Sequence, residues 1–161
     1  MTREQFMTHV EGSQRAFRRF LVALCCGDSA LADDIAQESY VKAYLSIDSL
    51  KDPGRFNAWL YRIGYTTFVN SRRSVHPTLG YDEAPDAPAH ETADAAFRYQ
   101  ELYAALDRLP DKERTSILLF YIEDYAIKEI AAIVGASESA VKQHLSRGRN
   151  HLRGLLTKEN I

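Results

Sequence analysis

Between Ile127 and Leu152 the apolar residues fall on two short helical stripes, broken between them by Gly135-Ala136-Ser137. Ile127, Ile130, Ala131 and Val134 stand at i, i+3, i+4 and i+7, the spacing of one helix face. Gly135 can adopt the left-handed conformation that ends such a helix without the strain a side chain would bring. Ser137 is a suitable N-cap for a second helix, and Glu138 in its first turn complements the helix dipole. Val141, Leu145, Gly148 and Leu152, at i, i+4, i+7 and i+11, form the buried stripe of that second helix. Two short helices across so tight a turn have few ways to pack, and the pattern predicts a helix-turn-helix.

The exposed face of the second helix carries Glu138, Ser139, Lys142, Gln143, Ser146, Arg147 and Arg149. In this motif the N-terminal end of the second helix enters the major groove. There Gln143 can pair with adenine, and Lys142 with guanine or a phosphate. Arg147, Arg149 and Arg153 lie farther along and suit phosphate contacts. The competing reading is a helical hairpin whose basic face is merely solvated.

A net charge of −2 looks wrong for a DNA binder, but the sum hides the distribution. Residues 75–96 contain no Lys or Arg and carry Asp82, Glu83, Asp86, Glu91 and Asp94. Residues 140–156 carry Lys142, Arg147, Arg149 and Arg153 and no acid. The acidic stretch also holds Pro77, Pro85 and Pro88 and almost no large aliphatic residue, so it buries too little to offset the entropy of ordering it. It reads as a linker.

The remaining periodic segments read as helices. Phe6, Val10, Phe17, Leu21 and Leu24 define a first, and Asp28-Ser29 can cap a second whose apolar face is Ala32, Ile35, Ala36, Tyr40, Ala43 and Ile47. A loop at about 48–54 leads, with Pro53 in its first turn, to a third helix running to about Arg73 that buries Phe56, Trp59, Leu60 and Ile63. Helices resume near Asp94, and another follows Pro110. No strand-like alternation and no internal repeat is present. The expected fold is therefore all-α, with a helical domain at 1–74, an acidic Pro-containing linker at 75–96 and a helix-turn-helix domain at 97–161.

Two further features bear on function. On the third helix Tyr61, Tyr65, Phe68 and Arg72 stand at i, i+4, i+7 and i+11, with Arg73 beside them. Rings interleaved with cations suit single-stranded DNA, where bases stack and guanidinium groups hold phosphates; the same rings equally suit the far side of a helix bundle. The second helix places Asp33, Asp34, Gln37 and Glu38 on its outer side, either as dipole complements or as a docking face for a basic partner helix.

Enzymatic chemistry finds no support in the pattern. His9, His76, His90, His144 and His151 show no metal-ligand spacing, and there is no phosphate-binding Gly loop or nucleophile motif. Cys25 and Cys26 are adjacent and cannot staple distant segments; they read as packing residues. No catalytic residue, metal, cofactor or small-molecule substrate is expected. With a polar start at Met1–Gln5 and no apolar run of the roughly 20 residues a bilayer span requires, the expected location is cytoplasmic.

The stretch from Asp33-Asp34-Ile35-Ala36-Gln37-Glu38 to Tyr44 resembles the polymerase-binding segment of bacterial sigma factors, and Phe56-Asn57-Ala58-Trp59-Leu60-Tyr61-Arg62-Ile63 resembles the start of their promoter-melting helix. Leu106-Asp107-Arg108-Leu109-Pro110, Glu129-Ile130-Ala131 and Ser137–Lys142 resemble their C-terminal promoter-reading domain. The order of these segments and the short linker are similar to the extracytoplasmic-function (ECF) group. The resemblance implies that Asp33, Asp34, Gln37 and Glu38 dock on the coiled coil of the largest subunit of core RNA polymerase. It implies that Trp59, Tyr61, Arg62, Tyr65, Asn70, Arg72 and Arg73 engage the melted promoter element. It further implies that Ser139, Lys142, Gln143, Ser146, Arg147 and Arg149 read the upstream element as duplex, that the linker runs toward RNA exit, and that an anti-sigma factor holds the protein inactive.

The chain departs from the family at Tyr65-Thr66, where Arg-Asn is frequent, at Asn70, where Asp is frequent, and at His144 and Gly148, where Arg and Ala are common. Those on the third helix fall on the positions that bear on its base preference. Two other functions fit parts of the pattern. A LuxR-like helix-turn-helix regulator would bind promoter DNA without polymerase, and a sigma-like decoy would titrate an anti-sigma factor without starting transcription.

Overall fold

The computed structural model describes residues 1–74 and 93–159. The first helix, α1 (Arg3–Leu24), begins in a capping box: the Thr2 hydroxyl accepts from the Gln5 N–H at 3.1 Å and the Gln5 side chain accepts from the Thr2 N–H at 2.9 Å. It buries Phe6, Phe17, Phe20, Leu21 and Leu24. Cys26 and Gly27, with φ of +54° and +92°, reverse the chain. Asp28 then caps α2 (Ser29–Leu45) by accepting from the Leu31 N–H at 3.1 Å.

Two short 3₁₀ turns, Ile47–Ser49 and Pro53–Arg55, lead into α3 (Phe56–Ser74), so Pro53 opens a separate 3₁₀ turn before the α-helix rather than the α-helix itself. Phe56 and Leu60 are fully buried, while Trp59 and Ile63 are partly covered. α2 packs against both α1 and α3. Where α1 meets α3, a Cβ at Gly64 would stand 2.7 Å from Cε1 and Cζ of the fully buried Phe17. That ring is wedged against Tyr40 and Tyr61 and has nowhere to turn. In an open helix Gly→Ala stabilises by about 1 kcal/mol; Gly64→Ala is instead expected to destabilise by roughly 1–3 kcal/mol through overpacking. A urea titration checks the sign.

The second half contains α4 (Ala93–Asp107), α5 (Asp111–Ile117), α6 (Ile127–Val134) and α7 (Glu138–Glu159). Most of the expected linker lies outside the described residues; its last four positions, 93–96, fall in the first turn of α4. α5 runs on into a π-helical stretch, Leu118–Ile122, that sequence periodicity did not reveal. α7 packs on α4, α5 and α6. Gly148 is a close-approach position, since a Cβ there would lie 2.9 Å from Cγ1 of Ile117.

The two halves do not stand apart. α3 packs against α6, and α1 against the π-helical stretch, so buried residues from both halves join in one core.

Candidate nucleic-acid interface

The helix-turn-helix is built as its residues dictate. Gly135 adopts φ +69° at the end of α6, and the Ser137 hydroxyl accepts from the Ala140 N–H at 3.0 Å at the start of α7. Val141 and Leu145 are buried, which turns Ser139, Lys142, Gln143, Ser146 and Arg147 outward. Arg149 is also exposed, and donates to the Tyr121 hydroxyl at 3.1 Å. His144 is half-buried; burial first, then the nearby Lys112 and Arg147, push its pKa down. Its imidazole is therefore neutral at pH 7, so this helix lacks the cation that Arg would supply at that position.

On α3 the structure divides the expected residues into two sets. Tyr61, Tyr65 and Phe68 are buried, Tyr61 against Phe17 and Phe20 of α1 as well as against the second half. Tyr61 lies edge-on to Tyr125 with centroids 5.3 Å apart. Arg62, Asn70, Arg72 and Arg73 are exposed and Trp59 is half-exposed. Two of these cations are engaged by the other half: Arg62 Nη1 donates to the Ala132 carbonyl at 2.7 Å, and Arg72 Nη2 to Asp111 at 3.0 Å.

The acidic face of α2 is open. Asp34, Gln37 and Glu38 are exposed, while Asp33 is partly covered and takes a two-pronged ion pair from Arg18 at 2.9 and 3.4 Å. Glu38 pairs with Lys42 at 3.3 Å. One turn on, Val41 and Leu45 are 60% and 78% exposed, so the acids border an uncovered apolar strip.

Sequence patterns did not point to the residues that join the halves. Glu123, whose side chain is 2% exposed, accepts from the Tyr61 hydroxyl at 2.7 Å and from Arg19 at 2.8 and 3.2 Å. Arg114 is fully buried and donates to carbonyls of both halves, Leu24 among them at 3.0 Å. Their partners in the first half stand 62 to 104 positions away in the chain, beyond the reach of any local pattern. Burial raises the Cys25 thiol to about 12 and the Cys26 thiol to about 11, leaving both protonated and poorly nucleophilic at neutral pH.

Comparison with known proteins places this arrangement. The sigma-70 region 2 model matches residues 9–76 and the sigma-70 region 4 model residues 99–152. The chain is 32% identical over 134 residues to the RNA polymerase sigma factor SigV of Bacillus subtilis (strain 168), spanning 83% of this chain and 80% of that protein. It is 31% identical over 146 residues to the ECF RNA polymerase sigma factor EcfG of Rhodopseudomonas palustris (strain TIE-1), spanning 88% and 79%. Among solved structures, the sigma factor RpoE in complex with the anti-sigma factor NepR from Bartonella quintana shares the fold at a TM-score of 0.81, with 24% identity over 94% of this chain and 96% of that one. CnrH in complex with the cytosolic domain of CnrY matches at a TM-score of 0.72 and 25% identity, over 95% and 88%. With both sigma-70 regions in order on a shared fold, and with relatives matched along most of their length, the chain belongs to the extracytoplasmic-function group of RNA polymerase sigma factors.

Proposed function

We propose that this sigma factor joins core RNA polymerase through α2 and grips a promoter at two places, with α7 on the duplex upstream element and α3 on the melted one. One observation carries this reading: a single chain exposes both a helix-turn-helix reading face and, on α2, acids bordering Val41 and Leu45. Asp34, Gln37 and Glu38 supply charge complementarity to a basic coiled coil, Asp33 stands beside them, and the apolar strip supplies area to bury. On α3 the accessible Trp59, Arg62, Asn70, Arg72 and Arg73 are the groups for a displaced strand. Tyr61 and Tyr65 join them only when the halves separate. On α7, Lys142 and Gln143 read base edges from the N-terminal turns, Ser139 and Ser146 flank them, and Arg147 and Arg149 hold phosphates.

The chain itself carries out no covalent chemistry in this reading; its partners are polymerase and promoter DNA. The described helices include none long and apolar enough to cross a membrane, and its place of work is that of the polymerase, the cytoplasm. An anti-sigma partner, such as the NepR that accompanies RpoE, would act by covering these same faces.

Lys142→Ala and Gln143→Ala are each expected to cost roughly 1–3 kcal/mol in promoter recognition and to relax specificity at one base pair. Run-off transcription with purified core on the native promoter and on single-base variants measures both effects. Normal transcription by both mutants would refute this register of the recognition helix. Tight promoter binding without core would instead favour a self-sufficient regulator.

A further inference from the structure

We infer that the free protein is held shut by a latch built on Glu123, which ties the promoter-melting helix to the helix-turn-helix half and must open before α3 can take a DNA strand. The occlusion rests on the assignment of α3 given above; the latch itself rests on contacts alone. Glu123 sits just past the π-helical stretch, where its N–H donates to the Leu118 carbonyl at 3.1 Å. Asp124 follows in the left-handed conformation with φ +59°, and the Tyr125 N–H returns to the Leu119 carbonyl at 3.0 Å. A non-glycine residue with that φ is uncommon and persists where surrounding bonds hold it. The turn is thus fixed so that the Glu123 carboxylate points back into the first half.

There the carboxylate takes three donors, the Tyr61 hydroxyl at 2.7 Å and two Arg19 nitrogens at 2.8 and 3.2 Å. All three belong to α1 and α3, so the buried charge is satisfied only while the halves are together. Burial and the Glu123 bond both raise the Tyr61 pKa, which keeps its hydroxyl a donor.

The same closure consumes DNA-binding groups. Arg62 is spent on the Ala132 carbonyl and Arg72 on Asp111, so acceptors from the C-terminal half occupy two of the three guanidinium groups assigned to the strand, and Arg73 stays exposed. Tyr61 is buried at the same seam, edge-on to Tyr125, and Tyr65 and Phe68 are buried on the same stripe of α3. The face of α7 stays exposed, so closure suppresses strand capture without hiding the recognition helix.

Charge reversal at Arg19, an exposed residue on α1 outside the DNA and docking faces, tests the latch in the full-length chain. Arg19→Glu sets a second carboxylate against Glu123, and Arg19→Met removes the pair without repulsion. X-ray scattering should show a larger maximum dimension for Arg19→Glu, with Arg19→Met in between. Arg15→Glu, an equal charge change at an exposed site one turn away, should match the wild type. Binding of a single-stranded promoter oligonucleotide by the free protein should tighten on the order of tenfold in Arg19→Glu, because the apparent affinity scales with the open fraction. Unchanged dimensions in both Arg19 variants would overturn the latch. Expansion with no gain in strand binding would uphold the latch and sink the assignment of α3.

Discussion

Replacing Arg114 with Met is expected to lower the free energy of unfolding by roughly 3–5 kcal/mol, although the new side chain fills much of the same space. The Arg114 side chain is 1% exposed and donates to the carbonyls of Leu106 at 2.7 Å, Leu109 at 3.1 Å, Asp107 at 3.3 Å and Leu24 at 3.0 Å. These carbonyls lie at or just past the ends of α4 and α1, where helical N–H partners run out, although Leu106 also accepts from the Leu109 N–H at 3.0 Å. Asp111 at 3.6 Å and Asp107 at 4.0 Å balance the charge. Methionine has no donor, so the Leu24 and Leu109 carbonyls would lose the Arg114 bond, each at about 1–3 kcal/mol before relaxation, while Leu106 keeps the Leu109 N–H. Lysine is a poor substitute, because one ammonium cannot reproduce the planar fork that reaches two helix ends. Denaturant unfolding of Arg114→Met and Arg114→Lys measures the effect. A Met variant within about 1 kcal/mol of wild type would mean that water takes over those carbonyls.

The second large effect falls on assembly. The double variant Asp34→Lys, Glu38→Lys is expected to lose core polymerase binding by at least about a hundredfold, since like charges across an interface cost several kcal/mol. Its fold should survive. Both side chains are exposed, and the one ion pair given up, Glu38 with Lys42, is a solvent-facing helix pair worth little. Thermal unfolding followed by circular dichroism should therefore stay close to wild type while the chain no longer co-purifies with core. Undiminished affinity for core would move the docking surface off α2.

Much of the fold was legible because its signals are local. Gly135 and Ser137 announce the break between α6 and α7, and both behave in the structure as their chemistry requires. The apolar stripes of α1, α2 and α7 face the core as their spacing predicts. The candidate surfaces were legible in the same way on α2 and α7, where helical phase alone decides which side chains face outward. On α3 phase was not enough. The stripe of Tyr61, Tyr65 and Phe68 fits either stacked bases or a packed bundle, and its environment depends on what lies opposite. The structure packs α6 on α3, sets Tyr125 and Phe20 against Tyr61, and buries all three rings. The reason for a glycine at position 148 likewise lies opposite it, where Ile117 stands in the space a Cβ would need.

The sequence by itself determined the helices, the caps and turn of the helix-turn-helix, the acidic face of α2 and the family, because each is set by residues within a few turns of one another. Only the tertiary structure decided that the two halves close on each other, that Glu123 and Arg114 are buried charges serving both, and that Arg62 and Arg72 are occupied. The physical reason is the range of the interactions. Helix propensity and capping act over three or four residues, whereas a hydrogen bond such as Arg19 to Glu123 joins groups 104 positions apart and exists only once the packing has brought them together.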